Sequence, residues 1–298
     1  MAANYWQSTQ LKYWTFEDTA VLPGPSQDLE RLPKEDLELI HIYFSLLLSK
    51  LGKKLSIRQK HIATAIMFFK RFYTKNSFFN TEPFLVAATA MYLAGKVDEY
   101  PYHITNIVNE TTAVLRDCEP SIKFPYDTAD LADFEFYMLE TFHGRITVFH
   151  PYHPFSKYIE TITIDNAVQQ AGWHIINDSF KTDVNLVHAP HMVAIAAIYM
   201  SLSLQPEPQE GEKPKPKTKT KSGEKHYQKL APRDWFAGLN VDLEEIATIS
   251  QKMMDYYHLH KTRYNSSAAL AILKALQDNS PTTPATPSSS GAGTPHQL

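Results

Sequence analysis

The 298-residue chain is 43% hydrophobic and has a net charge of −3, which allows two ordinary domains and gives no general basic character for binding nucleic acid. Its single cysteine, Cys118, excludes an intrachain disulfide framework. No apolar run approaches the roughly 18 residues of a membrane-spanning helix, and residues 4–10 are too polar for a signal-peptide core. The sequence therefore predicts a soluble intracellular protein without a membrane partner.

Residues 1–32 are predicted to form a short aromatic helix and a turn-rich connector. Within 4–14, four large side chains share roughly one side of a helix: Trp6, Gln10, Tyr13 and Trp14. A segment this aromatic is expected to dock on the chain's own body or on a partner. Residues 21–28 contain two prolines and a glycine, which predicts turns.

Two helices are predicted at the start of the first domain. Gly52 is the candidate end of the first helix, because glycine commonly follows a last helical turn. Ser56 and Gln59 form a candidate capping box for the second helix. That helix carries Lys70 and Arg71, and their charges predict that both side chains lie on its outer side.

A third helix, over residues 83–99, has so little polar surface that it is predicted to lie inside a bundle. Pro101 ends it, because proline cannot continue a helix. Its exit carries Lys96, Asp98 and Glu99. Negatively charged side chains at the C-terminus of a helix interact unfavourably with the helix dipole, so Asp98 and Glu99 are expected to interact with groups outside this helix.

Two further helices complete the first domain. A short fourth helix is predicted around residues 104–109, which leaves Cys118 between helices. The fifth is predicted to be capped by Asp127 and Asp130. Five helices within 33–147, without alternating strands, predict a small all-α domain.

The chain contains an internal duplication. PFLVAATAMYLAG at 83–95 is echoed by PHMVAIAAIYMSL at 190–202. Two long copies indicate a tandem repeat of one helical domain, with the second copy at 148–262. Its predicted helices span 155–161, 167–180, 190–204, 233–239 and 241–260.

Two segments are predicted to lie outside the folded domains. The insertion 205–231 alternates lysine with proline, threonine and serine, which is typical of a solvated loop and only weakly matches a nuclear-localisation signal. Residues 263–298 are predicted to hold a helix end and a disordered tail. The tail contains weak candidate sites for a proline-directed kinase, each a Ser-Pro or Thr-Pro dipeptide: Ser280, Thr283, Thr286 and Thr294.

No catalytic or metal-binding pattern is found in the sequence. The motifs of phosphate-binding loops, serine hydrolases and zinc proteases are all missing. Three close histidine pairs are poor candidates for a metal site. Pro151 and Pro154 interrupt the pair of His150 and His153, and the two other pairs, His188 with His191 and His258 with His260, lack a third ligand in their local sequence. Nothing near Cys118 marks it as a nucleophile. We therefore expect a chain that is not an enzyme and that uses no metal or cofactor.

Glu135 is the most informative residue of the fifth helix, because it lies within the apolar stripe of that helix. A buried carboxylate requires a partner, and Lys96 is the cation available at the end of the third helix. One interpretation is an internal ion pair. The other is that Lys96 and Glu135 form the charged edge of a docking surface for a helix of another protein. The residues alone leave both interpretations open.

LAGKVDE at 93–99, followed by DFEFYMLE at 133–140, resembles the cyclin-box pattern of the cyclin family. In that family the lysine and the glutamate contact the activating helix of a cyclin-dependent kinase. The resemblance implies kinase contacts by Lys96 and Glu135, with Asp98 and Glu99 as additional contacts. It also implies an all-α architecture of two tandem five-helix cyclin folds plus an N-terminal helix, and a chain that activates a kinase without catalysing a reaction itself.

Further segments are similar to the transcriptional cyclins of the Mediator kinase module: NYWQSTQLKYW at 4–14, FFKRFY at 68–73, EFYMLE at 135–140, VFHPYHP at 148–154 and INDSF at 176–180. This resemblance implies a nuclear protein whose partners are the kinase of that module and other Mediator subunits, in the control of RNA polymerase II. It implies a groove for a further Mediator subunit, formed by Trp6, Asp98, Asn177 and Asp178. The insertion 205–231 looks like a fungal elaboration. Gly95 stands where serine is usual, and Asp98 stands where glutamate is usual.

Two rival functions are weighed against this one. A cyclin of the H or T type would activate a different kinase. A cyclin-fold initiation factor would grip DNA and would need a basic face on its ordered domains. The lysines concentrate in the insertion instead, so no direct sequence-specific binding of nucleic acid is expected.

Overall fold

The computed structural model describes residues 4–20, 22–204 and 229–278, and these residues form fourteen α-helices and two 3₁₀ turns. The helices are α1 (Thr9–Tyr13), α2 (Pro23–Leu29), α3 (Lys34–Lys54), α4 (Gln59–Tyr73), α5 (Pro83–Val97), α6 (Ile104–Cys118), α7 (Thr128–Thr141), α8 (Tyr152–Thr161), α9 (Asn166–Ser179), α10 (Val184–Val187), α11 (Pro190–Ser203), α12 (Pro232–Ala237), α13 (Leu243–Thr262) and α14 (Ser266–Asp278). The 3₁₀ turns are Tyr5–Gln7 and Phe78–Asn80. Within the described ranges no strand forms, and no helix is both long enough and apolar enough to cross a membrane.

Helix α5 is the centre of a five-helix bundle made by α3 to α7. It packs against α3, α4, α6 and α7, and its alanines and Gly95 are buried. Small side chains let the neighbouring helix axes come close, which raises the packing density of the core. The prediction of a buried central helix is confirmed.

The second half repeats this arrangement around α11. Helix α11 packs against α8, α9 and α13, and it starts at Pro190 as α5 starts at Pro83. The short helix α10 stands before α11 where the 3₁₀ turn Phe78–Asn80 stands before α5. The predicted tandem all-α arrangement is confirmed. The first helix of the second copy starts earlier than predicted, because α8 begins at Tyr152 rather than at residue 155.

Three helices of the first bundle end with a left-handed residue that is not glycine. Ser56, Glu99 and His143 have φ values of 56°, 58° and 50°. Each follows a helix whose last carbonyls accept the paired backbone hydrogen bonds of a Schellman motif. The predicted capping box of Ser56 with Gln59 is therefore wrong, because Ser56 closes α3 and no side chain caps α4. The predicted box of Asp127 with Asp130 is formed at α7.

Two other predicted helix ends are corrected. Gly52 lies inside α3, where a Cβ atom would lie 2.4 Å from the side chain of Ile62, so this glycine permits close packing of α3 on α4. The fourth helix is longer than predicted, because α6 continues to Cys118. The Cys118 thiol lies 3.4 Å from Nζ of Lys50.

Lys70 and Arg71 are buried, at 4% and 0% exposure, so the prediction of an outer face is wrong. Nζ of Lys70 donates to the carbonyl of Thr182 in the second half. Nη1 of Arg71 donates to the carbonyl of Thr147, 2.9 Å away in the segment between the two halves. From His61 to Tyr73, helix α4 is buried on all sides because the second half and the inter-repeat segment pack on the face that periodicity alone assigned to solvent.

The N-terminal segment is not one helix but the 3₁₀ turn Tyr5–Gln7 followed by α1. Its large side chains separate: Trp14 and Gln10 are buried, whereas Trp6 and Tyr13 are exposed. The Gln10 amide exchanges two hydrogen bonds with the backbone of Phe149, at 2.6 and 3.3 Å. The N-terminal segment therefore docks, through Gln10 and Trp14, on the chain's own inter-repeat segment.

Helices α2 and α14 were not predicted, and both cover the first bundle. Helix α2 occupies most of the expected connector, and its buried Asp28 accepts a hydrogen bond of 3.1 Å from the backbone N–H of Phe78. Helix α14 packs on α3, and its Gln277 side chain donates to the carbonyls of Phe78 and Thr81. The tail 279–298 and most of the insertion, 205–228, lie outside the described residues.

Candidate functional site

A charged edge lies where α5 ends beside the middle of α7; its four residues are Lys96, Asp98, Glu99 and Glu135. Nζ of Lys96 lies 2.7 Å from Oε1 and 2.8 Å from Oε2 of Glu135. The Glu135 side chain is only 9% exposed, whereas the Lys96 side chain is 44% exposed. The predicted burial of Glu135 is confirmed, and the ion pair exists in the chain by itself.

The environment of Lys96 keeps it cationic. Partial burial lowers the pKa of Lys96, but the hydrogen bond and the negative charge of Glu135 outweigh this effect, and the pKa is raised above its ordinary value. The ammonium also lies 4.7 Å from the centroid of the Tyr92 ring, a cation–π distance. A positive charge thus faces solvent, held in place by a buried carboxylate.

Glu99 is exposed beside this pair because of how α5 ends. Its backbone N–H donates to the carbonyl of Lys96, and the N–H of Tyr100 donates to Gly95 at 2.8 Å. This Schellman motif places Glu99 at a φ of 58° and turns the chain away from the helix axis. The Glu99 side chain therefore projects from the corner next to Lys96.

Asp98 differs from its neighbours, since its side chain is only 10% exposed and faces the start of α4. Its carboxylate lies 3.0 Å from Nζ of Lys60, 3.0 Å from Nδ1 of His61 and 2.7 Å from the hydroxyl of Thr64. Burial raises the pKa of Asp98, but the hydrogen bonds from Thr64, His61 and Lys60 together lower it below the ordinary value. Asp98 therefore anchors the end of α5 to α4 from inside.

An aromatic groove lies beside the first turn of α4, between the two halves. It encloses about 870 Å³. Its principal lining residues are aromatic, histidine and amide side chains: Tyr5, Trp6, Phe149, His150, Tyr152, Trp173, Asn177 and His191. Trp6 is 61% exposed, with its ring centroid 5.4 Å from that of His191. Oδ1 of Asn177 accepts a 2.7 Å hydrogen bond from the hydroxyl of Tyr152.

The structure brings Trp6 and Asn177 together in this groove, but Asp178 and Asp98 do not line it. Asp178 contacts Nζ of Lys181 at 2.6 Å and the Tyr257 hydroxyl at 3.1 Å. Asp98 reaches the groove indirectly through Lys60, which lines the groove and pairs with Asp98.

A second connection runs through His150 and Thr64. Nε2 of His150 lies 2.8 Å from the Thr64 hydroxyl, which donates to Asp98. This geometry assigns the proton of the neutral His150 ring to Nε2. The first turn of α4 thus contacts both the charged edge and the groove wall.

Sequence reasoning missed the three residues that hold Asp98, which are Lys60, His61 and Thr64, and also His150, which contacts Thr64. The available signal was the presence of two polar side chains, His61 and Thr64, among the apolar residues in the first half of α4. Among the described residues no three histidine, cysteine or acidic side chains are arranged to hold a metal ion. His188 instead places Nδ1 2.9 Å from the carboxylate of Glu245.

Comparisons with known proteins identify the family. The family model named Cyclin, N-terminal domain, matches residues 25–147. The chain is 31% identical to Cyclin-C of Drosophila melanogaster over an alignment of 271 residues. This alignment covers 88% of this chain and 91% of that protein. It is 38% identical to the RNA polymerase II holoenzyme cyclin-like subunit of Aspergillus fumigatus over an alignment of 209 residues, and this alignment covers 68% of each of the two proteins.

Solved structures agree on the fold. A chain in the cryo-EM structure of the yeast TFIIK (Kin28/Ccl1/Tfb3) complex is 16% identical with a TM-score of 0.55, covering 92% of this chain and 99% of that one. A chain in the CAK complex of Chaetomium thermophilum is 18% identical with a TM-score of 0.53, covering 92% of this chain and 78% of that one. The chain therefore belongs to the cyclin family, as a relative of cyclin C, and folds as two tandem cyclin folds preceded by short N-terminal helices.

Proposed function

We propose that this chain is the regulatory cyclin subunit of the Mediator kinase module. It binds and activates the cyclin-dependent kinase of that module in the nucleus and so regulates transcription by RNA polymerase II. Its 31% identity to a Cyclin-C and its 38% identity to an RNA polymerase II holoenzyme cyclin-like subunit support this assignment. In this role the chain does not catalyse the phosphate transfer itself. It acts by positioning groups of its partner.

The observation that carries the proposal is the exposed Lys96 ammonium held against the buried Glu135 carboxylate. A protein kinase is active only when a helix in its small lobe brings a glutamate to the nucleotide-binding lysine. A cyclin that binds this helix holds it in the position at which its glutamate reaches that lysine. Lys96 offers N–H donors to backbone carbonyls or carboxylates in the segment that adjoins such a helix, and the carboxylate oxygens of Glu135 have lone pairs left to accept from backbone N–H groups of the same segment.

Apolar surface beside the charged edge supports a helix-docking role. Phe136 follows Glu135 on α7 and is 71% exposed, and Tyr100 follows Glu99 and is 49% exposed. Aromatic side chains are enriched among the residues that dominate binding energy at protein interfaces. The charged pair would orient the kinase helix, and the exposed aromatic side chains beside it would supply binding free energy.

We assign the aromatic groove to a further Mediator subunit. Trp6, which belongs to the docked N-terminal segment, and Asn177 both line this groove. Asp178, the other residue assigned to this surface, supports the wall from behind through Lys181 and Tyr257. Asp98 contributes to both surfaces only through the contacts that it makes with α4.

Reconstitution tests the proposed function. The Mediator-module kinase of the same organism is assayed for transfer of phosphate to a substrate peptide, with and without the full chain. We expect a large increase in kcat/KM on addition of the chain, and no transfer by the chain alone. A chain that binds this kinase without raising its activity, or that does not bind it, contradicts the proposal.

Glu99→Gly is expected to weaken kinase binding without weakening the fold. Glycine removes the cost of a side chain at positive φ, on the order of 1 kcal/mol, partly offset by the greater freedom of the unfolded chain. Melting temperature should therefore stay equal or rise, while the Kd for the kinase increases severalfold. His143→Gly, which makes the same backbone change at the end of α7, is the matched control and should leave the Kd unchanged. If both variants bind the kinase with the same Kd, Glu99 does not contribute to the kinase interface.

A further inference from the structure

A second cavity, of about 190 Å³, lies between the two halves of the molecule and apart from both surfaces described above. Its walls come from α3 and α4 in the first half and from α13 and residues 181–186 in the second half. Thr19, Ala20, Pro25 and Leu29 close one side. A molecule held there would contact both halves at once.

Four lysines line this cavity, and three of them have a carboxylate partner. Nζ of Lys34 lies 4.0 Å from Glu38, Nζ of Lys181 lies 2.6 Å from Asp178, and Nζ of Lys252 lies 3.5 Å from Asp183. Lys70 is the exception, since no described carboxylate lies within 4.0 Å of it. Its hydrogen bond goes to the neutral carbonyl of Thr182.

This exception matters because Lys70 is also the most buried of the four, at 4% exposure. A buried ammonium without a carboxylate partner is costly, and an anion beside it relieves that cost. Burial lowers the pKa of Lys70 to about 8, partly opposed by the charges of Asp183 and Glu38. The ammonium form therefore still predominates at neutral pH.

The remaining walls are mainly apolar or aromatic: Pro25, Leu29, Leu37, Ile42, Tyr73, Leu186, Tyr256 and Leu259. His41 also lines the cavity, and burial lowers its pKa to about 3, so its ring is neutral. Nδ1 of His41 has no hydrogen-bond partner among the described residues. Asp255, a further acid of the lining, is exposed and accepts a hydrogen bond from Gln251.

We propose that this cavity is a binding site for a small amphipathic monoanion, namely a compact apolar or aromatic ring that carries one carboxylate. The carboxylate would pair with Lys70, and the ring would pack on the apolar wall. The volume suits this class, since a cavity of about 150 Å³ accommodates benzene. Because both halves supply the wall, such a ligand would stabilise their relative placement. This proposal does not depend on the kinase assignment.

Thermal and chemical denaturation of the full chain with benzoate, benzamide and benzylamine tests the site. At ten times its Kd, a ligand that binds only the folded state raises the folding equilibrium constant about elevenfold. We expect this increase with benzoate and little or none with the neutral or cationic analogue. Equal effects of benzoate and benzamide, or no effect of benzoate, would overturn the proposal.

Lys70→Met keeps the length and apolar stem of the side chain and is expected to abolish the benzoate effect. Lys34→Met, at the solvent side of the same cavity, should retain it. A crystal of the wild-type chain soaked in 4-bromobenzoate gives a readout that does not require the Lys70 variant to fold. An anomalous bromine peak inside the cavity is expected. A well-occupied peak elsewhere, with none in the cavity, would refute the site.

Discussion

Glu135→Lys is expected to remove tight kinase binding while the chain still folds. The substitution places a second cation against Lys96, whose Nζ now lies 2.7 Å from the Glu135 carboxylate. Interface residues of this kind contribute about 2 kcal/mol or more, so we expect a loss of affinity of roughly thirtyfold or greater. Because the Glu135 side chain is buried whereas the Lys96 side chain is 44% exposed, the reversal should cost the isolated chain on the order of 2–3 kcal/mol, between the values for exposed and buried ion pairs, which leaves a folded chain. Isothermal titration with the kinase, together with thermal unfolding, measures both.

Two further variants separate docking from internal stabilisation. Glu140→Lys makes the same charge change at an exposed position of α7 and should leave the affinity intact. The double variant Lys96→Glu with Glu135→Lys restores an internal ion pair of reversed polarity. It should recover stability but not kinase binding. Recovery of both would mean that the pair acts only within the fold.

Trp14→Ala should cost about 3–5 kcal/mol of folding free energy, the range for a large aromatic side chain removed from a core. Trp14 is 2% exposed, and its indole N–H donates to the carbonyl of Arg145 at 2.9 Å. Its ring packs against Phe142 and lies 5.1 Å from the guanidinium of Arg71. The variant would therefore detach the N-terminal segment and expose a buried cation. Urea denaturation monitored by far-UV circular dichroism measures the change.

Trp6→Ala is the matched comparison, because Trp6 belongs to the same segment but is 61% exposed. Its stability should change by less than about 0.5 kcal/mol, as for most exposed positions. We expect it to lose binding of the further Mediator subunit instead. A large fall in stability for Trp6→Ala, or a small one for Trp14→Ala, would contradict the assignment of Trp14 to the stability of the fold and of Trp6 to binding of a partner subunit.

The central elements of the fold follow from local sequence. The apolar surface of α5 required neighbours on several sides, and the place of Glu135 in an apolar stripe required a cation nearby, which is Lys96. The Asp127 cap of α7 is likewise local, since its partners lie within three residues. Helical periodicity and capping chemistry determine these features, so the sequence could predict them.

The rest depended on contacts between distant segments. Periodicity assigned Lys70 and Arg71 to one face of α4, but it could not indicate that Thr182 and Thr147 would cover that face. Asp98 looked like a surface acid at a helix exit, yet it binds Thr64, 34 residues earlier. In each case the charged group is buried with backbone or side-chain partners that only the tertiary arrangement supplies.

The most direct test of the central claim is affinity capture from nuclear extract of the source organism, with the wild-type chain beside the Lys96→Glu, Glu135→Lys double variant. Mass spectrometry should identify a cyclin-dependent kinase and Mediator subunits with the wild type, and should find the kinase lost from the double variant. A kinase without Mediator subunits would indicate a transcriptional cyclin of another type. Recovery of nucleic acid and no kinase would contradict the account and favour a DNA-binding initiation factor.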